Sequence, residues 1–229
     1  MKEILLILCS LFILNICLSA QMDETITVRA GTRILDYFPV SKRYLYSEFT
    51  TGRILFKNGT YSDRKLNYNH LAGEIEFLQA RDTLSISDKK DIRSVIVAQD
   101  TFFYDKGYIE QIKSGRITVG LKQYYELKDI QGKDSYGVTS AGAATTSLGS
   151  LPADGNFYKL TANKDMIFKR TILYYIATQE SGFVLCTKKN IMKLFTQNKG
   201  KVKSYLKANK VKFSSRDDIL KLADFLSGL

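Results

Sequence analysis

The segment RITVGLKQYYELK, residues 116–128, alternates apolar with polar side chains along its length. Successive side chains of a β-strand point to opposite faces, so the alternation predicts a strand with one face on a core and the other in water. Of the six alternate positions from residue 117 to residue 127, five are apolar: Ile117, Val119, Leu121, Tyr125 and Leu127.

The segments around this strand have strand patterns too. Residues 53–57 and 60–68 flank Asn58-Gly59, a dipeptide favoured in tight hairpins. Residues 171–177 are apolar on both faces, which is typical of a covered central strand. Short strands separated by close turns predict an antiparallel β meander that forms a sandwich or a partly open barrel. Further predicted strands are residues 74–78, 83–87, 94–99, 101–104, 108–113 and 157–161.

One stretch interrupts this pattern. Residues 137–151, GVTSAGAATTSLGSL, are small and mostly polar and have no apolar period. They predict a long Gly/Ala/Ser/Thr loop between strands.

From Thr187 onward the apolar residues recur at helical spacing. The last predicted helix begins at Ser215, which has Asp218 three positions later, and ends at Gly228. A segment of about 43 residues without disulfide or metal is near the lower limit for independent folding, so we expect these helices to dock on the β-domain. The sequence thus predicts an α+β protein, with an antiparallel β-domain over residues 21–186 and a small basic helical appendage over 187–229.

Residues 1–20 have the layout of a secretory signal peptide. Lys2 precedes an apolar run, and the small residue Ala20 precedes Gln21. The run from Ile4 to Ala20 is shorter than the ~20 residues of a spanning helix, and no basic cluster follows it, so cleavage is favoured over a retained anchor. We therefore expect an exported protein.

Composition narrows the class further. After cleavage only Cys186 remains, which excludes a small scaffold held by disulfides. The net charge is +11, and residues 187–229 contribute +8 of it, with eleven Lys or Arg against three Asp. The basic character is therefore concentrated in the predicted helices.

Several short motifs are spread over the chain after residue 48: Phe49, Gly52 and Phe56–Gly59; Leu66–Asn69; Gly73–Ile75 and Phe77; Tyr136-Gly137; Lys188–Asn190 with Leu194-Phe195; and Lys210–Phe213. Together they resemble a large family of exported Gram-negative bacterial proteins. That family has no assigned activity, so the resemblance carries over no catalytic residue and implies only a bacterial envelope setting, in the periplasm or at the cell surface.

The sequence offers few catalytic candidates. His70 is the only histidine and lies in an Asn-rich turn, where we expect it to be exposed and without a catalytic partner. Glu74 and Glu76 share one face of a strand, and we expect that face to be solvated while Ile75 and Phe77 point into the core. We therefore predict no catalytic residue, no metal site and no cofactor.

The beginnings of the first two C-terminal helices carry lysine where a helix dipole favours acidic residues. Because export separates the protein from nucleic acid, an anionic envelope component is the expected partner, such as lipid phosphate, lipopolysaccharide or another polymer, with peripheral membrane contact. The predicted anion-binding residues are Lys188, Lys189, Lys199, Lys201, Lys203, Lys207 and Lys210.

Two functions remain open at this level. The preferred one is a non-catalytic envelope binding or assembly protein with this basic face. The alternative is a hydrolase of envelope glycans or lipids that uses carboxylates not identified from the sequence.

Export gives a direct test. Mass spectrometry of the envelope fraction should find a mature N-terminus near Gln21, because the cleavage signal ends at Ala20. Recovery of the intact chain from Met1 in the membrane pellet would contradict this prediction.

Overall fold

The computed structural model describes residues 24–80, 82–133, 139–142 and 161–229. It confirms the predicted α+β class: an antiparallel sheet in meander order, followed by helices near the C-terminus. The predicted signal peptide lies outside the described residues.

Most of the described strands overlap predicted segments, whereas Thr25–Val28, Thr139–Gly142 and Val184–Leu185 were not predicted as strands. The strands are β1 (Thr25–Val28), β2 (Thr50–Phe56), β3 (Tyr61–Asn69), β4 (Glu74–Gln79), β5 (Asp82–Ser85), β6 (Ile92–Val97), β7 (Asp100–Tyr104), β8 (Tyr108–Lys113), β9 (Ile117–Lys133), β10 (Thr139–Gly142), β11 (Asp165–Thr178) and β12 (Val184–Leu185).

The sheet order is β1-β11-β9-β8-β7-β6-β2-β3-β4-β5, with β10 on β9 and β12 on β11. Strand β9, which contains the alternating segment, pairs with β11 from Ile117↔Thr178 to Gln131↔Asp165, with one irregularity at Ile167/Phe168. The fully apolar segment 171–177 lies within β11, which has β9 on one side and β1 and β12 on the other. It therefore lies inside the sheet path, next to the edge strand β1, and residues 171–173 are half-buried.

The sheet is open but strongly curled. Just beyond β3, the backbone oxygen of His70 accepts a hydrogen bond from the Tyr125 amide at 2.8 Å. The Tyr68 hydroxyl donates to the Gln123 carbonyl oxygen at 2.8 Å. The end of β3 thus returns to the middle of β9, and one sheet encloses its own apolar face.

Register partners show which residues share that inner face, because directly opposed residues point the same way. One row crosses the sheet from β2 to β11 and is apolar except for Glu110: Ile54, Val95, Phe102, Glu110, Leu121 and Tyr174. Five of these six side chains are at least 94% buried, and the row joins the core inside the curl to the core under the helices: Ile54, Val95, Phe102, Leu121 and Tyr174.

The C-terminal helices are α3 (Lys188–Leu194), α4 (Lys199–Ala208) and α5 (Arg216–Ser227). The Thr187 and Ser215 side chains cap α3 and α5 by accepting from the Asn190 and Asp218 amides. The predicted apolar stripes supply Ile191, Val202, Leu206 and Leu222 to a core shared with β9 and β11. Cys186 is buried in the same core, and burial raises the pKa of its thiol to about 12.

Two of the differences from the sequence prediction have a local reason. Within the predicted loop 137–151, Thr139–Gly142 form β10 and pair with β9, so that part of the loop prediction was wrong. Strand β9 extends beyond the residues that pair with β8, and β10 pairs with the backbone groups of this extension. Two four-residue helices, α1 (Ile34–Tyr37) and α2 (Val40–Arg43), were not predicted, because one turn is too short to give a helical period. The rest of 137–151, and 157–160 of the predicted strand 157–161, lie outside the described residues.

The longest described helix, α5, has 12 residues, and none of the described helices combines the length and apolar character that crossing a bilayer requires.

Gly52 gives a test of the curled core. An added Cβ would lie 2.7 Å from Leu66 Cδ1 and would also collide with the Ile96 carbonyl oxygen. Gly52→Ala should therefore lower the free energy of unfolding by about 1–3 kcal/mol in urea titration, the usual effect of overpacking. Gly182→Ala, whose Cβ would meet no atom within 4 Å, is the matched control and should be nearly neutral. Equal stability of the two variants would contradict the packing described.

Candidate functional site

The seven predicted lysines are all exposed and lie on two helices and the turn that follows them. Lys188 and Lys189 open α3, which has only seven residues. At 100° per residue, Lys199, Lys203 and Lys207 of α4 fall on one stripe, whereas Lys201 lies on another side. Lys210 follows the end of α4 and has a φ of 46°. The lysines thus form an open, spread surface.

The acidic residues of this segment are separated from those lysines. All three, Asp217, Asp218 and Asp224, belong to α5. Asp218 accepts a hydrogen bond from the Lys212 amide at 2.8 Å, and Asp224 is paired with Lys113 of β8. None of the seven lysines has a salt bridge to any residue the structure describes. Their charge is therefore left without a neutralising partner in that part of the chain.

The prediction of an exposed His70 was wrong. The side chain is only 6% exposed, and its ring packs edge-on against Tyr68 with centroids 5.2 Å apart. Its backbone amide donates to the Arg43 carbonyl at 2.6 Å. Burial, and then the charge of Arg170, lower the pKa of His70 to about 4, so the imidazole is neutral at pH 7. Among described residues its Nδ1 has no hydrogen-bond partner, and no nucleophile is paired with it.

The prediction of a solvated Glu74–Glu76 face was also wrong, although Ile75 does point into the core. Glu76 is 1% exposed and accepts from Tyr44 Oη at 2.6 Å and Asn69 Nδ2 at 2.9 Å. Glu74 Oε1 is 2.5 Å from Lys89 Nζ. Burial raises the pKa of Glu74, with the Lys89 ammonium opposing the rise.

The cover over these carboxylates comes from residues 43–48, which run beside the end of β3. Asn67 fixes this segment: its Oδ1 accepts from the Tyr46 amide at 3.1 Å and its Nδ2 donates to the Tyr46 carbonyl at 2.8 Å. Asn69 Oδ1 accepts from the amides of Leu71 and Ala72 and so closes the next turn. The two asparagines of the Leu66–Asn69 motif therefore have structural roles.

The sequence analysis missed one pair of acids. Asp100 and Glu110 lie on adjacent strands and share the inner face, as diagonal neighbours across β7 and β8. Asp100 Oδ2 accepts from the Tyr46 hydroxyl, and that hydroxyl also lies 3.1 Å from the Val97 carbonyl oxygen. Burial first, and the Asp100 charge second, raise the pKa of Glu110 to about 7, while Arg216 of α5 opposes the rise. An acidic residue within an apolar alternation was the only signal of this pair in the sequence.

The chemistry open to these groups is limited. Within the described ranges, no cluster of three or more His, Cys, Asp or Glu side chains could hold a metal ion. Glu110 can exchange a proton near neutral pH. The lysine surface, in contrast, can attract anions without any rearrangement of bonded groups.

Comparison with protein-family models, with curated proteins and with solved structures found no match. The resemblance to exported envelope proteins therefore stays a prediction.

The raised pKa of Glu110 predicts a pH-dependent stability. Between pH 4.5 and about 7 the folded chain holds a proton that the unfolded chain has released, so the free energy of unfolding falls as the pH rises. Glu110→Gln removes this proton uptake. As the pH rises through that range, the free energy of unfolding of the variant should therefore increase relative to that of the wild type, by at most roughly 3 kcal/mol, at about 1.4 kcal/mol per pKa unit.

Urea titrations of both proteins at pH 4, 5.5 and 7.5 measure this difference. His70 contributes equally to the pH dependence of both proteins, so its contribution cancels in their difference. Glu48→Gln changes an exposed acid and should show no such trend. A Glu110→Gln difference that stays constant over the range would contradict the assignment.

Proposed function

We propose that this chain is an exported, non-catalytic binding protein of the Gram-negative cell envelope. Its C-terminal face, defined by Lys188, Lys189, Lys199, Lys201, Lys203, Lys207 and Lys210, holds an anionic component such as lipid phosphate, lipopolysaccharide or another polymer. The observation that carries this proposal is the separation of charge: seven exposed lysines have no salt bridge to a described residue, while the three acids of the segment lie on α5.

The packing of α4 supports an outward-facing role for its lysines. Val202 and Leu206 are buried in the core shared with β9 and β11, which fixes the helix against the sheet. Tyr205 also stacks on Phe225 of α5, with ring centroids 4.1 Å apart. A rigidly docked helix presents its charges together and loses little conformational freedom on binding.

The magnitude of the attraction is sufficient for measurable binding. A lysine close to an anionic membrane surface contributes ~1 kcal/mol, so four or five acting together give a strong but salt-sensitive association. The Debye length shortens from about 10 Å at 0.1 M salt to about 3 Å at 1 M, and binding must weaken accordingly. Export makes an envelope anion, rather than nucleic acid, the available partner.

A glycan or lipid hydrolase is the second candidate, and one observation favours it. Asp100 and Glu110 share the inner face, and glycoside hydrolysis commonly uses two carboxyl groups of which one has a raised pKa. Against this reading, Asp100 is engaged by Tyr46. Hydrolysis of an envelope glycan or lipid that disappears in Glu110→Gln would favour the enzyme.

Co-sedimentation with vesicles tests the binding proposal. The mature chain should bind vesicles containing anionic phospholipid and not neutral ones, and 1 M salt should release it. The triple variant Lys199→Glu, Lys201→Glu, Lys203→Glu should bind at least tenfold more weakly. Glutamate in the first turns of a helix interacts well with the helix dipole, so these changes should not unfold α4.

A matched variant controls for net charge. Lys57→Glu, Lys90→Glu and Lys164→Glu change the same number of exposed lysines outside α3 and α4. Vesicle binding of this control variant should be only modestly weaker than that of the wild type. Equal binding to both vesicle types, or equal loss in the two triple variants, would refute a specific basic face.

A further inference from the structure

A cleft of about 800 Å³ opens on the inner face of the sheet, at the end opposite to the helices. It arises because β5 ends the sheet path while the next strand, β6, lies on the far side of β2. The connection between them, residues 86–91, must cross the faces of β4, β3 and β2. We call this connection the crossing segment.

The crossing segment is anchored at both ends. The Ile86 amide donates to the Ile75 carbonyl at 3.4 Å, and the Asp91 carbonyl accepts from the Lys57 amide at 2.8 Å. Between them Lys89 is held by Glu74 and lies 5.7 Å from the centroid of the Tyr104 ring. The cleft is therefore formed before any ligand arrives, which lowers the entropic cost of binding.

The lining is apolar at the floor and on one wall. Ile54 and Ile86 are buried, and Phe56 and Phe77 are half-buried beside them. Leu84 of β5 completes the wall and is 41% exposed. Ligand pockets have volumes of roughly 300–1,000 Å³ and are mostly apolar with a few placed polar groups. The volume of this cleft lies within that range, and five of its twelve lining residues are apolar.

Arg64 is the polar group best suited to bind a charged ligand. It lines the cleft from β3, and its Nη1 donates to the carbonyl oxygen of neighbouring Asp63, at 2.9 Å. No described acidic side chain forms a salt bridge with it. A guanidinium presents five donors in a planar fork that matches carboxylate and phosphate. Asp88 and Lys89 also line the cleft, and Lys89 is paired with Glu74.

We propose that this cleft binds an amphipathic anion, with its apolar chain or ring on Ile54, Phe56, Phe77 and Leu84 and its carboxylate or phosphate on Arg64. A free fatty acid and the anionic end of a lipid present the same chemistry to these residues. The site is separate from the lysines of α3 and α4, so it does not rest on the function proposed above.

Isothermal titration calorimetry of the mature chain with decanoate, decanol and decylammonium tests the site, because the three probes differ only in the head group. Decanoate should bind at least tenfold more tightly than decylammonium. Arg64→Gln should weaken decanoate binding at least tenfold and leave decanol unchanged. The control Arg93→Gln, at an exposed arginine of β6 outside the lining, should leave all three probes unaffected.

Two leucines provide a second matched pair. Leu84 and Leu78 are each 41% exposed, but only Leu84 lines the cleft. Leu84→Gln should weaken the binding of decanoate and of decanol several-fold, and Leu78→Gln should leave the binding of both unchanged. Both changes are at exposed positions, so the variants should keep the wild-type melting temperature.

Four outcomes would overturn the proposal. They are no decanoate binding below its micellar concentration, tighter binding of decylammonium, no effect of Arg64→Gln, and equal effects of the two leucine variants. Decanoate binding that is lost in the Lys199/Lys201/Lys203→Glu variant and kept in Arg64→Gln would place the anion on the helices instead. The vesicle and calorimetry results can therefore fail independently.

A comparison of decanoate with decyl phosphate and with a short-chain anionic phospholipid then separates the sources of the head group. Tighter binding of the phospholipid would identify the anionic end of a lipid as the ligand. Tighter binding of decanoate would identify a free fatty acid. Either result keeps the anion on Arg64.

Discussion

The pairing of β9 with β11 supports most of the structure. One end of this ribbon, with Val119 and Tyr174, forms the surface on which the C-terminal helices pack. The other end, with Tyr125 and Phe168, packs against Phe38, whose ring meets both in edge-on contacts at 4.9 and 5.3 Å. The Tyr125 amide also closes the curl through the His70 carbonyl. The ribbon therefore contributes to two cores, under the C-terminal helices and against Phe38, and it also closes the curl.

Closure of the curl explains where charge is tolerated. The inner face must bury its side chains, and Glu110 remains there because a proton can neutralise it near pH 7. The outer face of β4 would be solvated in a flat sheet, but residues 43–48 cover it and supply Tyr44 to Glu76. Exposed cations without a salt bridge to a described residue include the lysines of α3 and α4 and Arg64 at the rim of the cleft. Both proposed sites rest on these cations.

Local patterns account for the elements that were predicted correctly. The alternation at 116–128, the Asn58-Gly59 turn and the Ser215 cap each act within a few residues, so the sequence contains the whole interaction. The predictions for His70 and Glu76 failed because their partners Tyr125 and Tyr44 lie more than 30 residues away, and the prediction for Glu74 failed because Lys89 of the crossing segment reaches it. Composition cannot indicate such a cover, and Asn-rich turns and alternating glutamates are usually exposed.

The sequence by itself determined most strand segments, the three C-terminal helices, the antiparallel meander and the concentration of positive charge after Thr187. It did so because periodicity and charge are properties of neighbouring residues. Only the tertiary structure decided that the sheet curls, that Asp100 and Glu110 share one face, and that residues 86–91 cross over Ile54 and Phe77 to leave a cleft beside Arg64. These features depend on contacts between strands distant in the chain, whose register and curvature no single segment specifies.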